Sequence, residues 1–472
     1  MPATAMPTSS LSADGYGAAR AAHYALAVPE GARRRLAAAW LSLAVGALLG
    51  AGLFSILLVL ARAPLTKDLF AVADFFRIAL VVHVDLSVLV WFAAFAGLLW
   101  TLNGGERHLG LAWAGLAAMV AGTLALCAAP FTGAEPPVMS NYVPVLDGPV
   151  FLGGLALFAL GAMLLVARSM LAAPRVGTRP DGAAALAFGL NAAAVSAAVA
   201  LLAFAWSYAA LPTGLEGKAY YEVLFWGGGH VLQFTWTLLM FAAWLALAEA
   251  SGARTPLSPR VAILLFAIGL VSVFATPVIY LAYDITSVEH YRLQTWLMRI
   301  GGGLAILPFA AALLHALALA PRAQGGERAL RAALWWSLVL FGAGGAIGLL
   351  IDGSNVKIPA HYHGAIVGVT LAFMGLTYHL LPRLGYARPA ARLATLQAWL
   401  YGAGQLAHIA GLVWSGGYGV QRKVAGAEQV LRGAEQIAAM GLMGLGGLAA
   451  VAGGFLFVLI VGRCAWTSSG SR

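Results

Sequence analysis

Charge is the scarcest ingredient of this sequence. Only 10% of its 472 residues are Asp, Glu, Lys or Arg, 61% are hydrophobic, and the mean hydropathy is +0.85. A soluble domain needs far more charge to clothe its surface, so the composition implies an all-α integral membrane protein. Cysteine is nearly absent as well, with only Cys127 and Cys464. A disulfide framework is excluded, and the topology inferred below sends the two toward opposite faces of the membrane, where they cannot pair. A cleavable leader pattern is also missing. Its basic residues would precede a short apolar core, whereas Arg33, Arg34 and Arg35 stand directly before a long one. Residues 1–35, small and polar, read as a disordered cytoplasmic tail.

What is present is a series of apolar runs. Twelve begin near residues 36, 73, 109, 149, 183, 220, 259, 293, 329, 360, 391 and 436. Each is long enough to cross ~30 Å of hydrocarbon as a helix, the only form that satisfies its own backbone in lipid. The pattern predicts a twelve-helix membrane domain over residues 36–465 and a cytoplasmic C-terminal tail over 466–472. Of the 28 Lys and Arg residues, 18 fall with the termini and the loops carrying Arg107, Arg175, Arg254, Arg328 and Arg388, and 10 on the other side. That bias predicts both termini in the cytoplasm. It also accounts for the net charge of +10 without a nucleic-acid partner.

A polar group at membrane depth is costly, so each one within a span is a functional candidate. His83 lies inside the second span, in FFRIALVVHVDLSVLVWFAAFAG, and His230 inside the sixth, in LFWGGGHVLQFTWTLLM. His361 and His363 open the tenth, in PAHYHGAIVGVTLAFMGL. On an α-helix two residues turn the direction by about 200°, so this pair leaves opposite faces and cannot chelate one metal together. Each can ligate a separate centre on its own side. Gly364, and Gly227 to Gly229, remove bulk where a large planar ligand would approach.

This arrangement resembles subunit I of the haem-copper oxidases, nearest the cbb-type and nitric oxide reductase branches. The resemblance runs from about residue 36 to 465 and includes TYHLLPRLG at the end of the tenth span, LQAWLYGAGQLAHIAGLVWSGGYGVQRK in the eleventh and GGLAAVAGGFLFVLIVGR in the last. It implies two b-type haems. His83 and His363 would be the axial ligands of a low-spin haem, His361 the proximal ligand of a high-spin haem, and His230 a ligand of a second metal beyond it. Neither cysteine lies in a Cys-x-x-Cys-His pattern, so any haem is held noncovalently. Haem propionates require cationic partners, for which the resemblance points to Arg422 and Lys423 on the outer side. Arg383 lies at the cytoplasmic end of the tenth span. The family also implies a bacterial inner membrane, and a periplasmic c-type cytochrome, cupredoxin or cytochrome c-bearing subunit as electron donor.

One element of the family pattern is missing. The seventh span should supply adjacent histidines, but anchoring on Leu307 to Phe309 places Tyr283 and Asp284 there. The run from His230 to Phe234 offers neither phenol nor carboxylate. One imidazole with Tyr283 and Asp284 is a hard, oxygen-rich donor set, which argues against copper of the usual kind. An empty or purely hydrogen-bonded pocket is the expectation there, with a non-haem metal on His230 and Asp284 as the alternative. His290 reads as an exposed loop residue, with folding back over the high-spin haem as the alternative. Asp85 should point away from the haem, pairing with an arginine or carrying a proton; His315 and His408 should hydrogen-bond between helices; His379 lies some four turns beyond the His-x-His pair.

Two functions fit. One is a membrane oxidoreductase that takes electrons from a periplasmic carrier through the low-spin haem to a high-spin haem that reduces O2, NO or a similar small ligand. The alternative is a non-catalytic di-haem electron-transfer subunit of a larger redox complex. A transporter has no use for the His-x-His pair.

Overall fold

Twelve long helices carry the chain back and forth in the computed structural model, which describes residues 23–67, 73–133 and 136–469. They are α1 (Ala32–Leu60), α2 (Phe75–Asn103), α3 (Leu109–Phe131), α4 (Pro149–Leu171), α5 (Gly182–Ala210) and α6 (Gly217–Ala250), then α7 (Pro259–Ala282), α8 (Val288–Leu319), α9 (Glu327–Leu349), α10 (Lys357–Leu380), α11 (Ala391–Gly417) and α12 (Ala434–Ser469). Among the described residues, eleven of them are long and apolar enough to cross a membrane. The other, α11, carries Gln397, Gln405 and His408, all buried against neighbouring helices. The chain is thus an all-α, multi-pass membrane protein with the expected helix order.

Local chemistry sets several helix starts. The side chains of Asp181, Ser258 and Ser287 accept backbone N–H bonds as N-caps, and Pro149 and Pro259 occupy first-turn positions. Ser287 starts α8 about five residues earlier than the apolar run suggests. At the other end of the chain, residues 1–22 lie outside the described residues, but the tail expected to be disordered through residue 35 packs from His23 onward. Tyr24 is fully buried and donates its hydroxyl to Leu257 O at 2.8 Å, and α1 begins at Ala32.

Small residues let the helices approach closely. A Cβ on Gly344 of α9 would collide with the α10 backbone at Gly364 and Ala365, and one on Gly411 of α11 would collide with Met443 of α12. Aromatic packing then fixes relative height. Phe95 of α2 stacks on Phe373 of α10 with centroids 4.2 Å apart, and Trp91 packs against both. The two helices run in the same direction. Counting back at 1.5 Å per residue, His83 stands about 18 Å above Phe95 and His363 about 15 Å above Phe373, so the stack brings both imidazoles to nearly one level.

Candidate functional site

Between α1, α2, α10, α11 and α12 lies a cavity of about 380 Å³ lined by His83, His363 and His408. Its depths are apolar, with Leu48, Val88, Met374, Phe455 and Val458. Its mouth is basic. Arg62 comes from the α1–α2 loop, and Arg422 and Lys423 from the α11–α12 loop. Arg62 donates to Gln429 Oε1 and Gln421 O at 3.0 and 3.1 Å, Arg422 to Asn141 Oδ1 at 3.2 Å, and Lys423 Nζ to Met139 O at 2.7 Å. Lys423 adopts a left-handed backbone, φ 62, unusual for a residue with a Cβ. Burial lowers Arg62 to about 10. Burial, then the neighbouring Arg422 and Lys218, lowers Lys423 to about 8 against the opposing pull of Glu222.

The histidines share a device. His83 Nδ1–H donates to Ala51 O at 2.9 Å, leaving the Nε2 lone pair for the cavity. A backbone carbonyl holding one ring nitrogen is the arrangement that orients imidazole for a metal. His361 has the same arrangement through Nδ1 and Gly344 O at 2.7 Å, and Gly348 gives its ring room where a Cβ would come within 2.8 Å. His361 lies on the α9 side of α10 and is not among the cavity residues. The two imidazoles of the His-x-His pair therefore serve different sides, as the 200° turn requires. Near His363 is the Gln405 amide, whose buried Oε1 has no partner within hydrogen-bonding geometry.

These features fit a haem: two imidazoles on one cavity, apolar walls for a flat ring, cations at one edge for two carboxylates, and a buried amide oxygen beside His363. They would seat it between His83 and His363.

The second-metal expectation fares differently. His230 has both ring nitrogens engaged, Nδ1–H on Trp226 O at 2.8 Å and Nε2 accepting from Tyr142 OH at 3.0 Å. Tyr142 arrives from the α3–α4 loop, which β1 (Pro137–Val138) and β2 (Val145–Leu146) pinch into a hairpin, and its ring fills the space over Gly229. Tyr283 and Asp284 do not reach this place. α7 ends at Ala282, leaving Tyr283 40% exposed, while Asp284 closes a surface turn. Asp284 accepts from Thr286 N and Oγ1 at 2.8 and 2.5 Å, bonds that hold its carboxyl below the usual range. No group of three or more His, Cys, Asp or Glu suited to a metal ion is found among the described residues. The donor set His230 with Tyr283 and Asp284 is thus corrected: the pair expected to replace the missing histidines lies beyond the end of the helix, facing out.

Other expectations change as well. Because α8 begins early, His290 is 1% exposed and edge-on to Tyr280 at 4.7 Å, not an exposed loop residue. Asp85 is buried in a π-helical turn of α2 and does not line the cavity, as its position opposite His83 predicts, but no arginine pairs with it among the described residues and its Oδ2 has no partner. His408 does bridge helices, with Nδ1 on Met443 O of α12 at 2.9 Å, whereas His315 is exposed on α8. Arg383 sits beside His379, remote from the cavity. Cys127 and Cys464 are both free. Sequence reasoning misses Tyr142, Asn141 and Arg62, which loops bring in and no periodicity marks.

Known proteins share this plan. The family model described as cytochrome c and quinol oxidase polypeptide I matches residues 35–449. An uncharacterized protein of Rickettsia prowazekii (strain Madrid E) is 29% identical over 93% of this chain and 97% of its own length. Another, from Aquifex aeolicus (strain VF5), is 29% identical over 74% of this chain and 85% of its own. Among solved structures, a heme-copper terminal oxidase dimer studied by cryo-electron microscopy superposes with TM-score 0.71 at 18% identity, covering 93% of this chain and 84% of that one. With twelve helices in this order and a family match over most of its length, the chain belongs to the cytochrome c and quinol oxidase polypeptide I family.

Proposed function

We propose that the chain is a haem-binding membrane oxidoreductase in which His83 and His363 hold a low-spin haem and His361 a high-spin one. The observation that carries this reading is the cavity in which His83 and His363 meet beneath a basic mouth. Bound haem supplies one-electron redox chemistry whose potential the axial ligands and burial tune. His83 and His361 are oriented by carbonyls, while Arg62, Arg422 and Lys423 neutralise carboxylates at the mouth. Tyr142 caps His230 and keeps it as a hydrogen-bonded pair. In this reading a small ligand such as O2 or NO is reduced without copper, and the electron donor is a periplasmic c-type cytochrome, a cupredoxin or a cytochrome c-bearing subunit. The Lys and Arg distribution supports a bacterial inner membrane with both termini cytoplasmic.

The occupied nitrogens of His230 favour a second reading, a di-haem subunit that only conducts electrons to a partner. Carbon monoxide separates the two. The reduced protein is expected to shift its Soret band with carbon monoxide, and His361→Ala to lose that shift. A purified, haem-loaded protein with no shift would retire the catalytic reading and leave the conductor.

A further inference from the structure

Three imidazoles line a cavity in which a low-spin haem needs two. His83 approaches from α2, His363 from α10 and His408 from α11. The rings of His363 and His408 stand side by side, with centroids 4.7 Å apart and planes inclined at 64°. His408 is also prepared in the same manner as His83. Its Nδ1–H is taken by Met443 O at 2.9 Å, and its Nε2 makes no hydrogen bond among the described residues. Close packing holds that orientation: a Cβ on Gly447 would come within 3.0 Å of His408 Nδ1, and one on Gly446 would collide with the His408 backbone. A ring nitrogen pinned to a backbone carbonyl while the other faces a cavity is the pattern of a metal-ligating histidine.

We propose that His408 is an alternative axial ligand, exchanging with His363 for the iron position opposite His83. The step is ligand substitution without net redox change: the bond from His363 to iron breaks, the bond from His408 Nε2 forms, and both imidazoles stay neutral. It gives two low-spin forms that differ in the orientation of one ring. The inference rests on the reading that haem binds between His83 and His363.

The test is electron paramagnetic resonance of the purified, oxidised full-length protein, beside its optical spectrum and haem content. The wild type is expected to give two low-spin signals. His408→Asn, which keeps a donor for Met443 O but removes Nε2, loses one of them. His363→Ala keeps the other, with a low-spin optical spectrum, and the double variant turns high-spin. A single wild-type signal unchanged by His408→Asn would overturn the proposal, as would a haem-loaded His363→Ala that is already high-spin. Should His363→Ala not fold, the wild-type and His408→Asn comparison still decides. Failure of the underlying reading looks different: no haem in the wild type, or low-spin bands that survive His83→Ala.

Discussion

At the scale of the residue, burial decides what each polar side chain can do. Lys423 titrates near 8 because burial, Arg422 and Lys218 disfavour its charge. A carboxylate docking at the mouth favours the ammonium form. Haem affinity should therefore hold below about pH 8 and fall as pH rises past it, a dependence that Lys423→Met abolishes. Transfer of haem to an apo-globin acceptor across that range measures it, and equal pH slopes in both proteins would contradict it. Arg168 of α4 is a second buried cation, fully enclosed and donating to Trp100 O at 3.1 Å and Gly105 O at 2.6 Å. Arg168→Met removes both bonds, leaving Trp100 O with only the Gly104 N–H at 2.9 Å and a buried cavity where the guanidinium stood, at a cost of about 1–3 kcal/mol, read as a lower apparent melting temperature in detergent. An unchanged melting temperature would count against that role.

Helices set the distances between these residues, and glycine sets how close helices come. Gly344→Val forces α9 away from α10 and displaces the carbonyl that orients His361, for about 1–3 kcal/mol of lost stability. If His361 holds the carbon monoxide-binding haem, the same variant weakens that spectral shift while leaving the low-spin bands in place; loss of the low-spin bands instead would contradict the assignment of the two sides. This scale also shows what the sequence makes legible. Helix order and the opposed directions of His361 and His363 follow from apolar run length and a 100° turn per residue. His290 is not legible in the same way, because a serine cap begins α8 earlier than the apolar run does and turns that ring inward. Asp284 fails for the converse reason, since α7 stops at Ala282 and the next residues turn outward. Tyr142 is harder still: nothing within the α3–α4 loop announces that its phenol will cross to α6.

For the molecule as a whole, the bundle places His83 of α2 and His363 of α10 on one cavity and engages both ring nitrogens of His230 in hydrogen bonds. Metal analysis of the purified protein should accordingly find iron in haem and no stoichiometric copper; copper at one per chain would contradict the capping of His230 by Tyr142. The central claim is that His83 and the cavity it faces hold a low-spin haem. Its most direct test is the reduced optical spectrum and haem content of His83→Ala beside the wild type. The account predicts that the low-spin α-band disappears and haem content falls. Bands and content identical to wild type would contradict it.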